Sequence, residues 1–188
     1  LGLVLSGAFG EFNESATKML NIAHRNSDRL SLLINDILDL EKTAAGRMEF
    51  HLEPVDMAEL ISDSIQENAP YCKQYDVSME SIGLNEGALA HCDRDRVFQI
   101  MNNLLSNAAK FSNKGDKILI DLEERDNTIY ISVEDFGMGI PQEAQATIFE
   151  RFTQADSSDR REKGGTGLGL SIVKLLVEKQ NGTIDFVS

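Results

Sequence analysis

Asp135-Phe-Gly-Met-Gly139 and Gly164-Gly-Thr-Gly-Leu-Gly-Leu170 stand at two different kinds of junction in this chain. The first closes a run, residues 128–134, in which apolar and polar residues alternate with the period of two of a half-buried strand. The second opens directly into Ser171-Ile-Val-Lys-Leu-Leu, a helical pattern. Glycine carries no Cβ, so at both junctions backbone can approach a flat or anionic ligand closely. Upstream lies an amphipathic run, Asn103-Leu-Leu-Ser-Asn107-Ala-Ala-Lys110, whose two asparagines are four residues apart and share a helix face, with Lys110 about a turn further on. Any one string alone is weak, because glycine pairs also end helices and form turns. The ordered set, spaced by strand-like and helix-like segments, describes a nucleotide site in a layered α/β fold.

The rest of the chain divides around that region. Over residues 15–45 apolar residues recur at three- and four-residue steps, through Ala16, Leu20, Ala23, Leu30, Ile34 and Ile37, with Met19, Leu33 and Leu40 widening the stripe. This predicts a long bundle helix ended at Gly46, with residues 1–5 as the end of a partner helix and residues 7–13 as the turn. Asp56 with Glu59 has the form of a capping box before Leu60, Ile61 and Ile65. Short strands are expected at 77–82 and 88–92, then a helix capped by Asp93. Strands at 117–123 and 128–134 follow, joined by an Asp126-Asn127 turn. Pro141 suits the first turn of a short helix to Phe149. Residues 157–165 read as a mobile loop, 171–179 as a helix and 183–187 as a final strand, truncated from its sheet partner. The organisation expected is a helical segment at 1–48, a linker at 49–55 and a second domain at 56–188.

Charge and composition remove several classes. A formal net charge of −13 opposes broad contact with a polyphosphate backbone, so nucleic acid is not expected as a partner. Cys72 and Cys92 lack a CxxC or Cys/His pattern, which indicates neither a zinc site nor a disulfide framework and fits a reducing compartment. No apolar run reaches the roughly 20 residues of a membrane span, and the start lacks the order of a signal peptide. A cytoplasmic setting is expected, with membrane attachment only through segments outside this chain.

Four strings together resemble the catalytic half of a sensor histidine kinase. Asn103 to Ser112 is similar to its N box, Asp135 to Gly139 to its first glycine box, Ile148-Phe-Glu-Arg-Phe152 to its F box and Gly165 to Gly169 to its second glycine box. The resemblance implies an α/β (α+β) two-layer sandwich of the GHKL/Bergerat ATPase type, preceded by a partial dimerising helical hairpin that forms a four-helix bundle as a dimer. It implies ATP and Mg2+ as ligands and phosphorylation of a protein histidine for relay to a response-regulator receiver aspartate. In that layout Asn107 supports the magnesium, assisted by Asn103. Lys110 lies near the phosphates, so Asn107 and Lys110 are the catalytic candidates. Asp135 reads the adenine amino group beside Gly137 and Gly139, and Gly165, Thr166, Gly167, Leu168 and Gly169 form the phosphate lid. Phe149 and Phe152 pack the base of the lid. Arg160, Arg161 and Lys163 either screen phosphates or belong to a solvated mixed-charge loop. The plainer alternatives are a water-facing asparagine pair, a tight turn at Asp135 and a flexible helix start at Gly169.

The resemblance lacks one part. Its phospho-accepting histidine, followed by an acidic residue, arginine and Thr-Pro, has no counterpart here, and its place falls upstream of Leu1. His24, His51 and His91 have the wrong surroundings and read as structural or surface residues. Two rivals remain open: an ATPase of the same superfamily, and a pseudokinase acting as a nucleotide-sensing dimeric scaffold. The ATPases resemble one another in placing a water-activating glutamate where this chain has Asn103, and an amide cannot act as that base.

Overall fold

A computed structural model describes residues 1–6, 10, 12–83, 87–153 and 166–188. The chain forms two compact units, Leu1–Met48 and Glu49–Ser188. The first holds α1 (Gly2–Leu5) and α2 (Glu14–Ala44). The Asn13 side chain caps α2 by accepting from the Ala16 N–H at 2.8 Å, and Gly46 ends it at φ +64°. Only glycine adopts that conformation without steric cost. Along α2, Met19, Leu30 and Ile34 are more than half exposed.

The second unit contains β1 (Glu53–Asp56), α3 (Met57–Gln74), β2 (Ser78–Ile82), β3 (Leu89–Cys92), α4 (Arg94–Phe111), β4 (Lys117–Arg125), β5 (Thr128–Asp135), α5 (Gln142–Gln145) and α6 (Gly169–Lys179). β2 pairs parallel with β4, β4 pairs antiparallel with β5, and β1 pairs antiparallel with β3. Alternation along β4 buries Ile118, Ile120 and Leu122 and turns Lys117 to the opposite face, where it meets Glu80 at 2.8 Å. Asp126 and Asn127 both take positive φ, at 49° and 61°, which matches the right-handed twist of the β4–β5 hairpin.

α3 and α4 cover the apolar face of this sheet. Leu60, Ile61, Met101 and Leu105 meet Ile118 and Ile120 in one continuous core, each 0 or 1% exposed. A side chain so buried contributes about 1.5–3 kcal/mol, and Ile120→Ala would cost about 2–5 kcal/mol. Both helices begin on side-chain caps. Asp56 accepts from the Ala58 and Glu59 amides at 2.9 and 3.2 Å, and Asp93 accepts from the Arg96 amide at 3.1 Å. The layering is the two-layer α/β sandwich expected above.

Some elements differ from expectation. Glu53–Asp56, read as part of the connecting stretch, is a strand held by β3. Residues 183–187 carry no strand pairing among the described residues, because β5 is bonded only to β4 there. The helix begun at Pro141 covers only Gln142–Gln145 and passes into turns before Phe149. The loop expected at 157–165 lies outside the described residues.

Candidate nucleotide site

The site is assembled on α4. Its C-terminal half carries Asn103 and Asn107, both half-buried, and α6 packs across them. A Cβ at Gly169 would lie 2.9 Å from Asn103 Oδ1 and 3.9 Å from Asn107 Nδ2, so a larger residue here would require the Asn103 side chain to shift. The Asn103 amide donates to the Gln99 carbonyl at 3.1 Å, which aims its Oδ1 toward that turn. Asn107 makes no side-chain hydrogen bond among the described residues.

The described end of the loop entering α6 is fixed by local contacts. Leu168 is fully buried, and its N–H donates to Thr166 Oγ1 at 3.1 Å. Gly167 has φ +71°, and its carbonyl accepts from the Phe152 N–H at 2.8 Å. Among the described residues no side chain caps α6. Its first amides lie at the end of the helix where the dipole favours negative charge. Gly165, assigned to the same lid, lies outside the described residues, as do Arg160, Arg161 and Lys163.

The first glycine string meets the other end of α4. Asp135 ends β5, and its carboxylate accepts from the Gly137 N–H at 3.0 Å while remaining exposed. Asn113 Nδ2 donates to the Phe136 carbonyl at 3.3 Å. Gly139 turns the chain at φ +67°, and the next amide, Ile140 N–H, donates to Ser188 Oγ at 2.7 Å. From Asn103 to Phe111 the helix rises about 12 Å, a span suited to an extended nucleotide with base and phosphates at opposite ends. Lys110 lies one residue from Phe111, at the C-terminal end of that span. It is only 8% exposed, with its ammonium 4.8 Å from the centre of the Phe111 ring.

The structure thus brings Asn103, Asn107 and Gly169 together and places Asp135 and Gly137 beside the C-terminal end of the same helix. It does not make the two aromatic residues of the Ile148–Phe152 string equivalent. Phe149 packs edge-on against Phe186 at 6.0 Å with Lys174 above it at 5.7 Å, whereas Phe152 is 68% exposed at φ +61°. Phe152 instead meets the glycine string through its backbone, its N–H donating to the Gly167 carbonyl at 2.8 Å. Two shallow surface hollows, one around Asp63, Arg94 and Phe98 and the other around Gly83 and Asp121, contain none of the expected site residues. Sequence reasoning also passed over Gln180, whose side chain ties the end of α6 to Asp93 at the start of α4.

A two-layer sandwich with an asparagine-bearing helix between two glycine loops defines a Bergerat-type ATP-binding domain. Residues 92–188 match the family described as histidine kinase-, DNA gyrase B-, and HSP90-like ATPase, and the chain belongs to it. Within that family it is the catalytic ATP-binding part of a sensor histidine kinase. It is 34% identical over 187 residues to the circadian input-output histidine kinase CikA of Synechococcus elongatus, a match covering 98% of this chain and 25% of CikA. The mycobacterial sensor histidine kinase MprB superposes with a TM-score of 0.60 at 30% identity, over 70% of this chain and 81% of that one. Full-length ShkA, solved in complex with AMPPNP, superposes with a TM-score of 0.69 at 27% identity, over 95% of this chain and 37% of ShkA. The chain therefore spans about a quarter of the length of CikA. No helix among the described residues is long and apolar enough to cross a membrane.

Proposed function

We propose that this chain binds Mg-ATP and transfers the γ-phosphoryl group to a protein histidine, from which a response-regulator receiver aspartate takes it. The observation that carries this reading is the approach of Gly169 to Asn103 and Asn107. It sets the first backbone amides of α6, suited to phosphate, beside the Asn103 oxygen and the Asn107 side-chain amide, groups whose neutral oxygens are of the kind magnesium accepts while retaining water and phosphate ligands.

In this reading Asn107 holds the magnesium, assisted by Asn103, and the bound ion supplies neutralisation of phosphate charge. Lys110 adds a fixed positive charge on the same helix. Backbone amides of Gly167 and Gly169 hold and orient the phosphate end, with Thr166 and Leu168 shaping the turn between them, and the Asp135 carboxylate accepts from the adenine amino group. Phosphoryl transfer requires alignment and charge neutralisation above all, which these groups provide without a protein base. The side-chain amide of Asn103 cannot deprotonate water, so the site favours transfer to a protein nucleophile over hydrolysis. The exposed apolar face of α2 is the contact through which two copies pair, and the partnered bundle presents the acceptor.

Complementation in trans tests the proposal. The chain is mixed with a partner kinase that retains its acceptor histidine but cannot bind ATP. Acid-labile, base-stable label should appear on the partner, and Asn107→Ala should abolish it. Fast phosphate release without label would favour an ATPase. Tight nucleotide binding and confirmed mixed dimers without transfer would favour a scaffold.

A further inference from the structure

Helix α6 meets α4 at both of its ends, and the two contacts differ in kind. At the N-terminal end Gly169 abuts Asn103 and Asn107 by packing. At the C-terminal end Gln180 Oε1 accepts the backbone N–H of Asp93 at 2.7 Å, while Gln180 Nε2 donates to the Leu176 carbonyl at 3.1 Å. Asp93 is a firm anchor. It is 6% exposed, and its carboxylate accepts from the Arg96 N–H at 3.1 Å and from the His51 N–H at 2.9 Å.

The two helices run antiparallel with matched spans. Ten residues separate Asp93 from Asn103 and eleven separate Gly169 from Gln180, about 15 and 17 Å of helix. Between these points α6 buries Ile172, Val173 and Leu176. Apolar burial drives the helices together but is non-directional, so it resists sliding along the axis weakly. A hydrogen bond between the residue that ends α6 and the residue that caps α4 resists it directly. Where α6 sits along its axis decides where the amides of Gly169 and Leu170 fall relative to Asn103 and Asn107.

We propose that Gln180 is a positioning residue for the phosphate end of the nucleotide, setting the register of α6 on α4 through the Asp93 amide. The inference rests on the ATP-site reading above. It also predicts selectivity within the ligand. The adenine end, built from Asp135 and Gly137 against the end of α4, is not carried by α6, so loss of the Gln180 bond weakens the hold on phosphates and spares the base.

The test uses Gln180→Met, which keeps length and removes the acceptor. ATP affinity should fall about fivefold, as for loss of one neutral hydrogen bond, while adenosine affinity changes by less than about twofold. Val77→Ala, a small cavity in the sheet-side core, serves as a destabilised control and should leave the ATP-to-adenosine ratio unchanged. Independently, the Asp93 amide of the unaltered chain should become more protected from hydrogen exchange when Mg-ATP is added but not when adenosine is added, because the coupling is reciprocal. Unchanged ATP affinity in Gln180→Met, an equal loss for ATP and adenosine, or an Asp93 amide indifferent to Mg-ATP would each overturn the inference. Asn107→Ala binding ATP as well as the unaltered chain would instead overturn the site reading.

Discussion

Gly137 lies against the Phe111 carbonyl so closely that a Cβ at this position would fall 2.2 Å from the carbonyl oxygen and 2.8 Å from its carbon. Both are backbone atoms at the end of α4, and no rotamer change relieves the overlap. Gly137→Ala should therefore push the first glycine string away from α4. Overpacking of this kind costs about 1–3 kcal/mol. A lowered Tm together with weakened nucleotide binding is expected by calorimetry and titration. An alanine variant with unaltered Tm would mean that the loop does not rest on Phe111.

Asp135 offers a cleaner separation of binding from folding. One of its oxygens accepts from the Gly137 N–H at 3.0 Å, and the carboxylate is exposed. An asparagine in its place would retain an acceptor for that amide but present a donor where the proposed function puts the adenine amino group. Loss of a charged acceptor costs about 1.5–3 kcal/mol, so Asp135→Asn should lower ATP and ADP affinity roughly tenfold or more at unchanged Tm. Equal affinities in the folded variant would remove Asp135 from the site.

Local patterns were legible in the sequence and distant pairings were not. The β4–β5 hairpin follows from period-two alternation around two residues that tolerate positive φ, all within a short stretch. The end of α2 follows from Gly46. Glu53-Pro-Val-Asp56 escaped notice because it is four residues long, contains a proline and is a strand only by virtue of β3, more than thirty residues away. The expected strand at 183–187 has a strand-like composition, yet pairing is a property of two segments and the described residues supply it no partner. Among the candidate site residues, the glycines and asparagines stand out in the sequence by type and spacing. Gln180 did not, since its partner Asp93 lies 87 residues away and a glutamine at a helix end carries no local signature.

The two buried thiols predict an alkaline limit to stability. Burial pushes Cys72 and Cys92 above their ordinary value of 9.0, and the nearby Asp93 and Glu53 charges push Cys92 further. Burial raises the Tyr71 hydroxyl as well, with its hydrogen bond to Tyr75 acting in the same direction. The folded chain therefore holds these protons more tightly than the unfolded chain. Their contribution is fully present below about pH 9 and is lost as pH rises through the unfolded and then the folded values. Urea midpoints should be similar at about pH 7 and 8 and lower at about pH 10. A Cys72→Ala/Cys92→Ala chain should show a shallower decline. Rising stability between about pH 9 and 10 would contradict the assignment.

The apolar face of α2 makes the last prediction. Met19 is 72% exposed, Leu30 58% and Ile34 56%, and Ile22, Ile37 and Leu38 are each over 40%. Contiguous apolar surface on this scale is uncommon on a monomer and marks a contact with another chain. A helical face with this spacing is best covered by a like face, as in a two-fold bundle. The whole chain should therefore sediment as a dimer, while a shortened chain beginning at Glu53 should be monomeric and retain nucleotide binding. Leu30→Glu combined with Ile34→Glu should dissociate the dimer, since burying two unpaired carboxylates at the contact is strongly unfavourable. Dimers of equal strength from the whole and the shortened chain would place the contact elsewhere in the second unit.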